Sequence, residues 1–122
     1  MKLVTAVVRE EKLDELIDAV IGIGARGLTV TQVRGFGQQL GQLAAHQTAA
    51  GLTRAGVADG PQGALLPKVR LDLVVADQDA QTTVEAIAKC AGTGTIGDGK
   101  IWVSPVDSAL RVRTGERDRN AI

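Results

Sequence analysis

Tyrosine is absent from this chain, and phenylalanine, tryptophan, histidine and cysteine occur once each. The single Cys90 excludes an intramolecular disulfide, and one histidine beside one cysteine is too small a set for a zinc cluster. Lys plus Arg number 14, as do Asp plus Glu, so no overall field recruits nucleic acid or an anionic membrane. Any anion site must therefore be local. No apolar run approaches the roughly twenty residues that cross a bilayer, which argues against direct membrane insertion. The N-terminal stretch has a strand pattern that Arg9-Glu10-Glu11 cuts off, and it lacks the apolar core and cleavage site of a signal peptide. The expectation is a soluble, cytoplasmic protein of one domain, residues 1–122.

What is abundant is Val, Ile, Leu, Ala and glycine. Residues 2–8 read as a strand. Leu13, Leu16, Ile17, Val20 and Ile21 recur at helical spacing, and the helix should end at Gly22 or Gly24. Residues 28–34 read as a second strand, and 68–75 as a third with Val69, Leu71, Leu73 and Val75 on one face. Asp77 or Asp79 can cap a second helix whose apolar stripe is Val84, Ile87, Ala88 and Ala91. Residues 100–106 supply a fourth strand. Two β-α-β units predict an α+β, ferredoxin-like βαββαβ sandwich with both helices on one side of the sheet. Leu3, Val7 and Val74 make the second side look apolar, and self-association is the economical cover.

The chemistry concentrates in Thr93-Gly-Thr-Ile-Gly-Asp-Gly-Lys100 and in Arg111-Val-Arg113. Glycines let the backbone approach a ligand closely, and one Lys with two Arg suits a polyphosphate. Arg111 and Arg113, two apart, would share a face of an extended segment. That pattern points to a nucleotide; a glycine turn with ordinary surface charges is the competing reading. A Walker A loop is rejected because Ile101 follows Lys100 where a hydroxyl is needed, and because the next residues favour a strand. Between strands two and three, residues 37–66 hold six glycines and no convincing period. So long a connection is either a tolerated insertion or a functional loop; a mobile binding loop is the favoured expectation.

Three blocks in order carry a resemblance over nearly the whole chain: Gly27-Leu-Thr-Val-Thr-Gln-Val-Arg-Gly-Phe-Gly-Gln-Gln39 with Gly41, Leu66-Pro-Lys-Val-Arg-Leu-Asp-Leu-Val-Val75, and Thr93 to Val103 with Arg111-Val-Arg-Thr-Gly-Glu116. The chain resembles the PII signal-transduction proteins (nitrogen regulatory protein P-II), and its ending is similar to actinobacterial members. The resemblance implies a homotrimer with nucleotide sites in the clefts between subunits, where ATP and ADP (or AMP) compete. It implies that residues 37–66 are the T-loop that docks a protein target such as a membrane transporter, 93–100 the B-loop, and 107–122 the C-loop and tail. Carried over, Lys100, Arg111 and Arg113 contact phosphates, Gly97 and Gly99 lend backbone, and Thr29 with Val74 surrounds the adenine. Val7, Gly35, Gly37, Gln38, Gln39, Ile96 and Asp98 complete the implied nucleotide set. Gln39, Leu40, Gly41 and Lys68 are the implied 2-oxoglutarate or small-anion residues, with Gln39 also the candidate ligand of a Mg ion held with ATP.

The departures are specific. The usual loop sequence is missing between Gln42 and Leu66, and the segment is longer than the family's norm. Gln38 stands where an arginine often touches phosphate, and Arg9-Glu10-Glu11 replaces Lys-Pro-Phe. The leading expectation is a non-catalytic adenine-nucleotide sensor in nitrogen metabolism. The altered loop favours an alternative, a PII-like regulator of carbon or bicarbonate handling that binds ADP or AMP; Gln39 and Lys68 argue for the first. An ATP-hydrolysing enzyme is disfavoured, since Asp72 and Asp98 are the acids near the motifs and His46 has no partner to make it a base. With no tyrosine, nucleotidylyl transfer cannot use the family's usual acceptor. Intact mass of protein from nitrogen-starved and nitrogen-replete cells should therefore show no nucleotide adduct; one mapped to residues 37–66 would contradict this.

Overall fold

The alternation of Val4, Ala6 and Val8 sets the middle of the molecule. A computed structural model describes residues 1–35 and 65–122. Within them the chain runs β1 (Lys2–Val8), α1 (Leu13–Gly22), β2 (Thr29–Gly35), β3 (Leu66–Val75), α2 (Ala80–Ala91) and β4 (Gly99–Pro105). The strands form one four-stranded antiparallel sheet in the order β2-β3-β1-β4. With the two helices on one side, this is the ferredoxin-like α+β sandwich that the β-α-β pattern predicts.

Register decides which residues are buried. Val4, Ala6 and Val8 lie opposite Leu73, Leu71 and Val69 of β3, and opposite Val103, Ile101 and Gly99 of β4. Their inward face joins Leu16 and Val20 of α1 and Ile87 and Ala91 of α2 in a single core. The stripes read from spacing need three corrections. Ile21 is 62% exposed, because α1 ends immediately after it. Ala88 is exposed, whereas Thr83 is buried in α2 with its hydroxyl satisfied by the Asp79 carbonyl at 2.8 Å. A hydroxyl paired to its own helix occupies core space that a search for apolar residues passes over.

The helix ends also have identifiable causes. Gly24 takes φ +87°, and the Ala25 and Gly24 amides return to the carbonyls of Val20 and Ile21 at 3.0 and 2.9 Å. This is a Schellman closure, which needs the left-handed residue that glycine supplies. Neither Asp77 nor Asp79 caps α2 with its side chain. A 3-10 turn at Asp77–Asp79 leads directly into the helix instead, and Asp77 lies 3.1 Å from the Met1 amino group.

The second side of the sheet is less apolar than Leu3, Val7 and Val74 alone suggest. Thr5 sits in its centre, fully buried, donating at 2.6 Å to Asp72, which Arg70 also engages at 2.8 and 3.1 Å. Burial works against the Asp72 charge, yet hydrogen bonds from Arg70 and Thr5 together with the Arg70 charge hold its pKa below the ordinary value. Around this polar centre Val74 and Trp102 remain partly exposed.

Leu71 is fully buried in the central layer. Leu71→Ala should lower unfolding stability by about 2–5 kcal/mol in a denaturant titration, the range for a leucine cavity that cannot collapse. A change under about 0.5 kcal/mol, typical of surface sites, would contradict this account of the core.

Candidate functional site

The glycine turn before β4 is shaped by backbone freedom and one carboxylate. Gly94, Gly97 and Gly99 all take positive φ. At Gly99 (φ +112°) a Cβ would collide with the Val7 carbonyl oxygen, so the turn requires glycine there. Asp98 folds back over the turn: it accepts from the Thr93 and Gly94 amides at 2.7 and 2.8 Å and from the Thr93 hydroxyl. The Thr93 hydroxyl and amide, then the Gly94 amide and the Arg9 charge, outweigh burial and hold the Asp98 carboxyl down at about 2. Asp98 is thus the clasp of the turn, and its carboxylate points to the loop's own donors.

Two side chains from the end of the sheet reach the turn. Lys68 Nζ donates to the Gly97 carbonyl at 2.6 Å. Burial first, then the nearby Arg9 charge, lowers the Lys68 pKa, against the pull of Glu11 and Asp98. Arg9 Nη2 donates to the Thr95 hydroxyl at 3.0 Å and the Ile96 carbonyl at 2.8 Å, and its Nε lies 3.5 Å from Asp98. Sequence reasoning missed Arg9, which reads only as the charge that ends β1. The signal for it is positional: a residue following β1 must emerge beside the turn that precedes β4, because Val8 pairs with Gly99.

Lys100 extends from the same corner, paired with Val7 on the side of the sheet away from the helices. Gly35 ends β2 opposite Leu66, where the Lys68 stem would contact an added Cβ at 3.7 Å. Val7, Gly35, Lys68, Ile96, Gly97, Asp98, Gly99 and Lys100 therefore gather at one end of the sheet.

The other candidates lie elsewhere. Thr29, Val74 and Arg111 line a groove of about 840 Å³, together with Leu3, Arg26, Asp72, Arg119 and Ile122. The extended segment expected at Arg111 and Arg113 is instead a tight turn. The Arg111 carbonyl accepts from the Gly115 amide at 2.8 Å, Gly115 has φ +74°, and Leu110 bridges Arg117. The same-face argument for the two arginines fails on that geometry. Arg111 pairs with Glu116, whose pKa the Thr114 hydroxyl and then the Arg111 charge lower. Arg113 is exposed on the turn.

Within one chain the two groups do not meet. Thr29 is on the β2 edge and Lys100 on the β4 edge, three strand spacings or roughly 14 Å apart across the sheet. Gly37, Gln38, Gln39, Leu40 and Gly41 lie outside the described residues, as does the rest of the loop assignment up to residue 64. Among the described residues no group of three or more His, Cys, Asp or Glu could hold a metal ion, and no helix is long and apolar enough to cross a membrane.

A ferredoxin-like sandwich that ends in a clasped glycine turn narrows the class, and comparison with known proteins defines it. The family model for nitrogen regulatory protein P-II matches residues 1–116. Nitrogen regulatory protein P-II 2 of Methanothermobacter thermautotrophicus is 43% identical over 122 residues, covering 100% of this chain and 97% of the relative. The P-II proteins of Cereibacter sphaeroides and Rhizobium meliloti are each 42% identical over 122 residues, with both chains covered in full. This chain belongs to the P-II family of nitrogen regulatory proteins.

The clasp carries a pH signature. A carboxyl with a depressed folded pKa stabilises its state above the unfolded value, and the contribution disappears as pH falls through the folded one. The Asp98 contacts should persist from neutral pH down past 3.8 and be lost near pH 2. Carboxyl NMR of Asp98 should give a midpoint near 2, while a midpoint at 3.8 would show that the clasp does not form in solution.

Proposed function

We propose that this chain is a non-catalytic adenine-nucleotide sensor that regulates a protein partner in nitrogen metabolism, acting as a homotrimer with its ligand sites between copies. The observation that supports this reading is the separation of the candidate residues into two groups, which we read as two half-sites. The phosphate half has Gly97, Gly99 and Lys100 at one end of the sheet, with Val7 and Gly35 beside them. The other half has Thr29 and Val74 at a groove with Arg111 on its wall. Neither half has both a base-sized surface and the lysine-glycine corner. A second copy that brings its groove against the Lys100 corner completes both at once, and cyclic symmetry repeats the cleft at every interface.

Ligand sensing requires that a ligand contact one state of the regulator better than another. Lys68 supports such a coupling, because it leaves β3 beside the loop that ends at residue 66 and hydrogen-bonds Gly97 of the turn. In this reading ATP or ADP occupies the cleft, Mg accompanies ATP at Gln39, and 2-oxoglutarate or another small anion engages Gln39 and Lys68. The segment 37–66 then presents a ligand-dependent surface to the partner, a transporter, enzyme or regulator. The alternative of bicarbonate-linked regulation through ADP or AMP rests on the rewritten residues between Gln42 and Leu66 and shares the same cleft.

Mixing two defective chains tests the shared cleft. Lys100→Ala homotrimers and Arg111→Ala/Arg113→Ala homotrimers should each bind ATP at least about tenfold more weakly in calorimetry, since charge-assisted bonds to phosphate are lost. Refolded together at equal amounts, they should regain tight sites in about one cleft in four, because a random pairing can join an intact lysine corner to an intact arginine wall. No recovery would place both groups in one chain's own site and overturn the reading.

A further inference from the structure

We propose that Arg9 is a positioning residue for the glycine turn: it fixes the turn in the shape that presents the Gly97–Lys100 corner to a phosphate. The inference rests on the nucleotide reading above. The turn has no apolar anchor. Residues 93–96 are all exposed, so no buried side chain anchors them. Three glycines with positive φ give the segment many alternative conformations. Its shape must then come from polar contacts.

Those contacts form a chain that begins at Arg9. Its Nη2 holds both the Thr95 hydroxyl and the Ile96 carbonyl, at 3.0 and 2.8 Å. Thr95 in turn meets the Thr93 hydroxyl at 2.7 Å, and Thr93 is bound by Asp98. Arg9 Nε stands 3.5 Å from the same Asp98, closing the circuit from outside. The guanidinium suits this work because its planar fork can engage several acceptors at once, which an ammonium cannot do in the same geometry. Lys68 pins Gly97 independently, so loss of Arg9 loosens the turn without releasing it.

Arg9 has a second effect through charge. Asp98 is ionised at neutral pH and precedes Gly99 and Lys100, so a phosphate approaching that corner meets a carboxylate close by. Arg9 places a compensating positive charge against it, its Nε 3.5 Å from Asp98 and its Nη1 3.8 Å from Glu11. Removing Arg9 would leave Lys68 and the loop's own donors as the compensation for Asp98, so an anionic ligand would meet more of its negative charge. The penalty should then scale with the negative charge of the ligand, which a general loss of fold stability would not produce.

The experiment compares the full-length wild-type protein with Arg9→Gln and Arg9→Lys, using ATP, ADP, AMP and adenosine in calorimetry and amide hydrogen exchange without nucleotide. Arg9→Gln should weaken ATP and ADP at least about tenfold while adenosine changes by less than about threefold, with AMP between them. Arg9→Lys should recover part of the ATP affinity by restoring charge without the fork. In the nucleotide-free protein, the Thr93, Gly94 and Asp98 amides should exchange faster in Arg9→Gln while core β1 amides do not. Equal weakening of all four ligands, or unchanged ATP affinity, would overturn the assignment. Wild-type protein that binds none of the four would overturn the nucleotide reading itself. In that case the exchange comparison still judges the loop-setting role, and unchanged protection at residues 93–98 would refute it.

Discussion

The register of β1 is the constraint on which the rest of this molecule depends. Because β1 lies between β3 and β4, its seven residues fix both neighbours at once. Val4, Ala6 and Val8 face the helices only in this register, and a one-residue slip would turn all of them to the opposite side. The same register sets Val8 against Gly99, where the strand backbone comes so close that a side chain cannot fit. Core and candidate site are therefore consequences of one pairing. The apolar face supplies its free energy, and the end of the strand supplies its geometry.

Polar contacts take over where the core stops. The turn at residues 93–99 hides no apolar group of consequence, and its shape is held by Asp98 from within and by Arg9 and Lys68 from outside. Exposed ion pairs usually contribute little to stability. Here their value is conformational: they choose among many states open to a glycine-rich segment. Lys68 hydrogen-bonds this turn from β3, the strand that begins at Leu66, so one side chain ties the two together.

The opposite face of the sheet shows a division of labour of another kind. Thr5, Arg70 and Asp72 satisfy one another at its centre, while Val74 and Trp102 stay partly exposed around them. A satisfied polar centre with apolar surroundings specifies how another surface must register more sharply than a uniform apolar sheet would. In the proposed assembly that face, the lysine corner and the groove with Thr29 would meet a neighbouring copy.

The strand and helix pattern was legible in the sequence because burial on one face imposes periods that survive as residue type. The alternation from Val69 to Val75 and the spacing from Leu13 to Val20 are visible in residue order alone. The three motif blocks likewise carried the family, since family membership lives in residue identity and order. Other features depended on distance between residues far apart in the chain. Arg9 is 86 residues from Thr95, and no local pattern joins them. Arg111 and Arg113 are two apart in sequence, but the turn closed by Gly115 and Glu116 cancels the extended geometry that spacing alone suggests. The sequence by itself determined the fold class, the strand faces of the core and the family, because each is written in local periodicity or motif. Tertiary structure alone decided which charges hold the glycine turn and that the candidate residues fall into two separated groups, because both arise from strand pairing that no short window of sequence contains.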